Sequence, residues 1–242
     1  MSTHVRVLSY NVRSLRDDAD AVARVIRACA PDVACIQEAP RFFRWRSRCA
    51  RLARRSGLLV VTGGRTAAGN LILAHQRTRV RAAADVLLPW TPGKHRRGMA
   101  TAVVDVGAAR LGVASVHMSL YPDERSRHLT LAIERLRGMA APHLVVAGDI
   151  NESPTAGAVW PALARAYRDA YAVAPDGGEF TYSSRQPRDR IDGVFVSGGI
   201  EVIGCGVPDL PELAAASDHL PVVAALRVPA LEDQPKRTSA SA

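Results

Sequence analysis

The chain has 242 residues, with 32 Lys plus Arg against 23 Asp plus Glu and a formal charge of +9 when its 7 histidines are neutral. At 48% hydrophobic and 23% charged residues it is neither a disordered polyelectrolyte nor a fibrous repeat, and its length suits one large domain or two small ones. No run of about 18 uncharged apolar residues is present, and Met1-Ser2-Thr3-His4-Val5-Arg6 enters a strand-like pattern directly, so the expectation is a cytoplasmic, unexported protein with no membrane partner.

The positive charge is nearly all arginine, Lys94 and Lys236 being the lysines. An alanine-rich, arginine-for-lysine composition suggests a GC-rich genome, but that bias leaves the excess over acids unexplained. The excess favours an anionic partner such as nucleic acid or a phosphorylated small molecule. Cys29, Cys35, Cys49 and Cys205 form no CxxC pair and are too few for a disulfide framework, so they read as reduced core thiols.

Val5, Val7 and Ser9 alternate with Arg6, Leu8 and Tyr10 in a strand that ends at Asn11. Asp17 and Asp18 then open a helix with Val22, Val25, Ile26 and Cys29 on its apolar face, closed by Pro31. Val33-Ala34-Cys35-Ile36 reads as a buried strand ending at Gln37-Glu38. Pro40 to Gly57 reads as a second helix, with Phe42, Trp45, Cys49 and Leu52 on one stripe and Arg41, Arg44, Arg48, Arg51 and Arg55 on another. Short strands follow over 58–61, 70–74, 80–88, 99–106 and 111–118, punctuated by glycine and proline. A helix from Pro122 carries Asp123 and Glu124 in its first turn and turns Leu129, Ala132, Ile133, Leu136 and Met139 inward. A strand from Leu144 to Gly148 runs to Asp149, a helix covers 156–166, and late strands cover 180–183, 191–196, 202–204 and 222–228. Residues 1–228 thus read as one domain and 229–242 as a disordered tail. Stretches of consecutive strands break the helix–strand alternation, so two packed sheets with helices outside fit better than one doubly wound sheet.

Polar residues stand where the apolar runs stop: Asn11, Glu38, His117, Asp149 with Asn151, and Asp218 with His219. Ligands of α/β proteins gather at such strand ends. Singly, each residue has a structural role open to it, Asn11 as a turn former, Glu38 as a helix start, His117 as a satisfied core histidine. Together, two acids and two histidines beside apolar strands are costly to bury unless they pair with one another or with a metal.

The segments Val7-Leu8-Ser9-Tyr10-Asn11-Val12, Ala34-Cys35-Ile36-Gln37-Glu38, Gly148-Asp149-Ile150-Asn151, Arg190-Ile191-Asp192 and Ser217-Asp218-His219 resemble, in order and spacing, the endonuclease/exonuclease/phosphatase superfamily. The likeness spans residues 5–223 and implies an α/β, DNase I-like fold: a four-layer α/β/β/α sandwich of two packed mixed sheets with the active site at one rim. It implies hydrolysis of a phosphoester with Mg2+ or Mn2+, a hard cation that takes a few carboxylate or carbonyl oxygens and neutralises phosphate charge. The resemblance makes Glu38 a direct metal ligand, completed or supported by Asn11 and Asp218. It makes Asp149 the group that orients and deprotonates the attacking water and gives Asn151 the phosphate. His219, positioned by Asp192, would donate to the phosphate, with His117 on the opposite side. The family often carries an acid two residues after the first asparagine. Here that residue is Arg13, which either meets substrate phosphate or is a plain surface arginine. Arg96 and Arg97 precede the strand at Met99, where the resemblance puts them near the rim as substrate-binding candidates.

Seven arginines between Arg41 and Arg55, interleaved with Phe42, Phe43 and Trp45, would suit a nucleic-acid backbone. Helical spacing instead assigns the aromatics to the core and the arginines to a solvated face. Abasic-site endonucleases of the family typically have an aromatic three residues before the aspartate at 192, where this chain has Asp189. The expectation is therefore a monomeric, metal-dependent phosphoesterase acting on nucleic acid or a smaller phosphorylated compound. Its alternatives are a catalytically silent relative that binds nucleic acid through its basic surface, and a phosphomonoesterase for a small phosphorylated metabolite. A serine hydrolase built on Ser217, Asp218 and His219 fails, because adjacent residues cannot form a nucleophile, base and orienter relay.

Overall fold

A computed structural model describes residues 1–231. In chain order the elements are β1 (Ser2–Asn11), α1 (Ala19–Cys29), β2 (Val33–Gln37), α2 (Trp45–Ser56), β3 (Leu59–Gly63), β4 (Leu71–Ala74), β5 (Thr78–Leu87), β6 (Gly98–Val106), β7 (Ala109–His117) and α3 (Pro122–Arg137). They continue with β8 (His143–Asp149), α4 (Val159–Ala166), β9 (Arg168–Asp169), α5 (Ala170–Val173), β10 (Asp192–Val196), β11 (Glu201–Gly206), α6 (Leu213–Ala216) and β12 (Val222–Pro229). Two six-stranded sheets result, in the orders β11-β12-β1-β2-β4-β3 and β5-β6-β7-β8-β10-β9. Each contains one parallel pair, β1 with β2 and β7 with β8, among antiparallel neighbours.

Strand periodicity builds the layers. In β1, Val5 and Val7 face the other sheet while Leu8 and Tyr10 face α1 and α2. In β8, Val145 and Ala147 face inward while Val146 packs under α3 and α4. Between the sheets lies an aliphatic core that includes Val33, Ile72, Leu111, Val113, Val194 and Leu226. Helices on both outer faces give the expected four layers.

Local chemistry sets the helix ends. Asp18 caps α1 by accepting from the Asp20 and Ala21 amides, and Ala30 in the left-handed region ends it just before Pro31. Pro122 occupies the first turn of α3, where its missing N–H costs nothing. The helix expected from Pro40 begins only at Trp45. Arg44 sits in the left-handed region at φ 53°, which breaks the helical phase before it. Phe42 and Phe43 are consequently 71% and 84% exposed, so the core assignment fails for both, while Trp45 keeps its place against the α1/α2 core.

The strand expected over 180–183 is absent as an element: Tyr182 makes only isolated bridges to Asp189 and His219, inside a tight reversal. At the C-terminus β12 continues through Pro229 and the Ala230 N–H donates to the Met1 carbonyl, one step beyond the expected tail boundary. The rest of the expected tail, 232–242, lies outside the described residues. All four cysteines are free and buried, and burial raises each thiol pKa, to about 11 at Cys29 and Cys49. No helix among the described residues is long and apolar enough to cross a membrane.

Candidate active site

Strand phase places the polar residues. Asn11 continues the inward series Val5, Val7, Ser9, and Asp149 continues Val145, Ala147. His117 continues Leu111, Val113, Ser115, and Asp192 precedes Val194 and Val196. Register then brings them level: His117 lies beside Asp149 in the parallel pair β7/β8, and Asp192 lies opposite Asp149 in the antiparallel pair β8/β10. Four inward-facing polar groups from both sheets meet where the aliphatic filling stops.

Asp149, 1% exposed, is the hub. Its Oδ2 accepts from Asn11 Nδ2 at 3.0 Å and lies 3.3 Å from His117 Nε2 and 3.8 Å from His219 Nε2. Its Oδ1 accepts from the Asn151 backbone N–H at 3.0 Å. Burial, reinforced by Asp192 across the ladder, pushes its pKa up to about 7 against the pull of His219 and its hydrogen bonds. His219 Nδ1 sits 2.8 Å from Asp192 Oδ2. Burial works against the imidazolium, but Asp192 and Asp149 outweigh it and raise the pKa to about 10, so the ring is charged at neutral pH. His117 moves the other way: burial and the nearby Arg97 lower its pKa well below the usual histidine value.

The remaining candidates are held by their own networks. Asn11 Nδ2 also donates to Glu38 Oε1 at 3.3 Å, while its Oδ1 accepts the Arg13 N–H at 3.0 Å. That orientation fixes Asn11 as a bridge between two carboxylates. Glu38 follows β2 in the left-handed region at φ 49°, and its carbonyl receives the Ser14 N–H. Arg13 Nε lies 3.2 Å from Asp218 Oδ2, and the same guanidinium pairs with Asp17. Asn151 donates its side-chain amide to the Met118 carbonyl. Ser217 donates its hydroxyl to the Asn11 carbonyl and so ties the Ser-Asp-His segment to the end of β1.

These groups open onto a cleft of about 460 Å³ lined by Glu38, His117, Asp149, Asn151, Asp218 and His219 and also by Arg97. Arg97 is only 9% exposed, its Nε is buried without a hydrogen-bond partner, and no carboxylate among the described residues pairs with it. Desolvation accordingly lowers its pKa. Arg96 turns away and stacks on Trp90, with its guanidinium carbon 5.3 Å from the ring centre. Arg41, His95 and Tyr182 also line the cleft and were not singled out as site residues in the sequence. Tyr182 stacks 4.9 Å from the His219 ring. Arg41 stands three residues past the strand-end Glu38, a signal masked by reading it as part of a helical stripe. His95 and Tyr182 sit in loops without periodicity and offered none.

Donor atoms of Asp149, Asp192 and His219 lie within 4.8 Å of one another. Within this trio the His219 ring is hydrogen-bonded to Asp192 at 2.8 Å and stands 3.8 Å from Asp149, and an imidazolium has no lone pair to give a cation. Glu38 fits a hard divalent cation better, since the cleft presents it as a carboxylate whose described partner is the Asn11 amide.

The paired mixed sheets and their rim of acids and histidines define a four-layer α/β/β/α sandwich with a site between the inner strand ends. The chain belongs to the Endonuclease/Exonuclease/phosphatase family, whose sequence model matches residues 8–219. Among solved structures it is similar to an endonuclease/exonuclease/phosphatase from Bacteroides vulgatus, at 19% identity and TM-score 0.79, covering 94% of this chain and 100% of that one. A mannosyl-6-phosphatase from Bacteroides thetaiotaomicron aligns at 18% identity and TM-score 0.77, covering 92% and 99%. D. rerio TDP2, complexed with single-strand DNA product, aligns at 16% identity and TM-score 0.69, covering 93% and 99%. None of the curated proteins matches the chain.

Proposed function

We propose that this protein is a divalent-metal-dependent hydrolase of phosphoesters, acting on a phosphodiester in nucleic acid or in a smaller phosphorylated compound. The observation that carries this reading is the presence in one cleft of a cradled, buried carboxylate, Asp149, and a buried cation without a partner, Arg97. An unpaired buried guanidinium is costly unless an anion meets it, and its planar donors match phosphate oxygens.

The residues divide the work by position. Arg97 and His117 receive the phosphate. Asp149, held by Asn11 and the Asn151 amide, orients a water and takes its proton. His219, kept charged by Asp192, donates to the charge that develops on the phosphate oxygens. Glu38 would hold the cation, with Asn11 steering its carboxylate and Asp218 and Arg13 closing the same side. When bound, Mg2+ or Mn2+ supplies charge neutralisation and polarises the phosphoryl oxygen. The free buried thiols support a reducing, cytoplasmic setting.

The test is chelator-sensitive hydrolysis of bis-p-nitrophenyl phosphate, p-nitrophenyl phosphate and plasmid DNA, with Asp149→Asn as the paired control. Metal-dependent turnover that falls at least about 100-fold in the variant, with its thermal melt intact, is the expected result. Turnover in Asp149→Asn at the wild-type rate would sink the mechanism. Preference for the monoester over both diesters would move the assignment to a phosphomonoesterase.

A further inference from the structure

We propose that the exposed face of α2, together with the turn before it, binds single-stranded nucleic acid and leads it into the catalytic cleft. This rests on the phosphoesterase reading only for the direction in which the strand runs. The α2 buried face is Cys49, Leu52, Ala53 and Ser56. Its opposite face borders a groove of about 750 Å³ lined by Phe42, Phe43, Arg44, Arg48, Arg51 and Arg54. The charge there is free to meet a polyanion: among the described residues no carboxylate pairs with Arg44, Arg51 or Arg54, whereas Arg55, on the neighbouring stripe, pairs with Asp20. From Arg44 to Arg54 the helix carries these guanidinium groups along about 15 Å.

Two further observations set the kind of polyanion. Phe42 and Phe43 present rings to solvent beside the arginines, and a base can stack on such a ring only when it is unpaired. Phe42 also lines the catalytic cleft, so groove and cleft adjoin at this one residue, with the Arg41 guanidinium 5.4 Å from its ring centre. A chain molecule with phosphates at regular intervals and exposed base faces satisfies the arginine row, the exposed rings and the nearness of the cleft. An anionic membrane would satisfy the charge and the phenylalanines but has no reason to run on into the cleft.

The test is fluorescence anisotropy of labelled dT20, an oligo(U) of the same length and a duplex of that length, with the full chain in EDTA, so that binding is read without turnover. Either single strand should bind more tightly than the duplex. Phe43→Ser should weaken dT20 at least about fivefold, the lower end of base–aromatic stacking. Arg51→Ser with Arg54→Ser should lower the log–log salt slope by about 1.4, and Lys at both positions should keep most of it. Wild-type affinity in a variant combining Phe43→Ser, Arg51→Ser and Arg54→Ser, with an unchanged melting curve, or a preference for duplex would overturn the proposal. So would sedimentation with phosphatidylserine vesicles that Phe43→Ser abolishes while dT20 binding persists. Hydrolysis of bis-p-nitrophenyl phosphate by the unaltered protein is scored separately, so failure of the phosphoesterase reading and failure of this surface give different results.

Discussion

Asp149 and Asp192 stand directly opposite each other on antiparallel strands, a placement in which two carboxylates repel. The protein resolves the conflict by giving Asp192 the His219 imidazolium and surrounding Asp149 with amide donors. Arg97 is the contrasting residue, a desolvated cation with no carboxylate partner among the described residues, for which anion binding is proposed. Arg97→Gln should therefore raise the inhibition constant of inorganic phosphate by about tenfold or more, the range expected for a lost charge-assisted hydrogen bond, while the melting temperature holds or rises. An unchanged inhibition constant would remove Arg97 from the substrate site. Asn11, His117 and Asp149 were legible in the sequence because each stands where an apolar strand run stops, whereas Asp192 was legible only through the motif resemblance. Arg41, His95 and Tyr182 were not, because loop residues carry no period to count.

Between β7 and β8 the close approach depends on Gly148. A Cβ there would meet the Val116 carbonyl oxygen at 2.0 Å, so Gly148→Ala must push the parallel pair apart and displace Asp149, the next residue. That substitution should cost about 1–3 kcal/mol in urea unfolding and lower turnover with it. At the β6–β7 hairpin, Asp105 sits opposite Arg110 in the register and also meets Arg81. The Arg110 hydrogen bond, with Arg81 behind it, holds the Asp105 carboxyl below its ordinary value of 3.8. Its stabilising contribution is present above about pH 4 and is lost as pH falls through the depressed value. The stability gap between wild type and Asp105→Asn should thus be visible at pH 7 and shrink at pH 3. A gap independent of pH would show that the ion pair contributes nothing. Element boundaries were harder to read than element types. Phe42 fits the α2 stripe by count, but the left-handed Arg44 removes it from the helix.

Across the whole molecule, the site exists because two sheets pack face to face and leave their inner strand ends unfilled at one rim. Leu111 is fully buried between them, and Leu111→Ala should cost about 2–5 kcal/mol by opening a cavity that neither sheet can close alone. Cation binding to the folded site should also register as stability. At tenfold excess over the dissociation constant, Mg2+ or Mn2+ should add about 1.4 kcal/mol, a rise of about 3–5 °C in melting temperature. Glu38→Gln should abolish that rise. If the variant kept it, the cation would lie elsewhere.

The sequence by itself determined the two packed sheets and the polar residues where apolar runs stop, because alternating burial and strand-end polarity are local patterns that survive without coordinates, and the order and spacing of five short motifs carried the family resemblance. Only the tertiary structure decided which of those residues meet. The Asp149–Asp192 opposition depends on strand register, the Arg13–Asp218 pair joins loops about two hundred residues apart in sequence, and the isolation of Arg97 depends on every neighbour that fails to reach it. The outward turn of Phe42 and Phe43 was likewise a tertiary outcome: one backbone angle at Arg44 sets it, and no count of apolar spacing contains that angle.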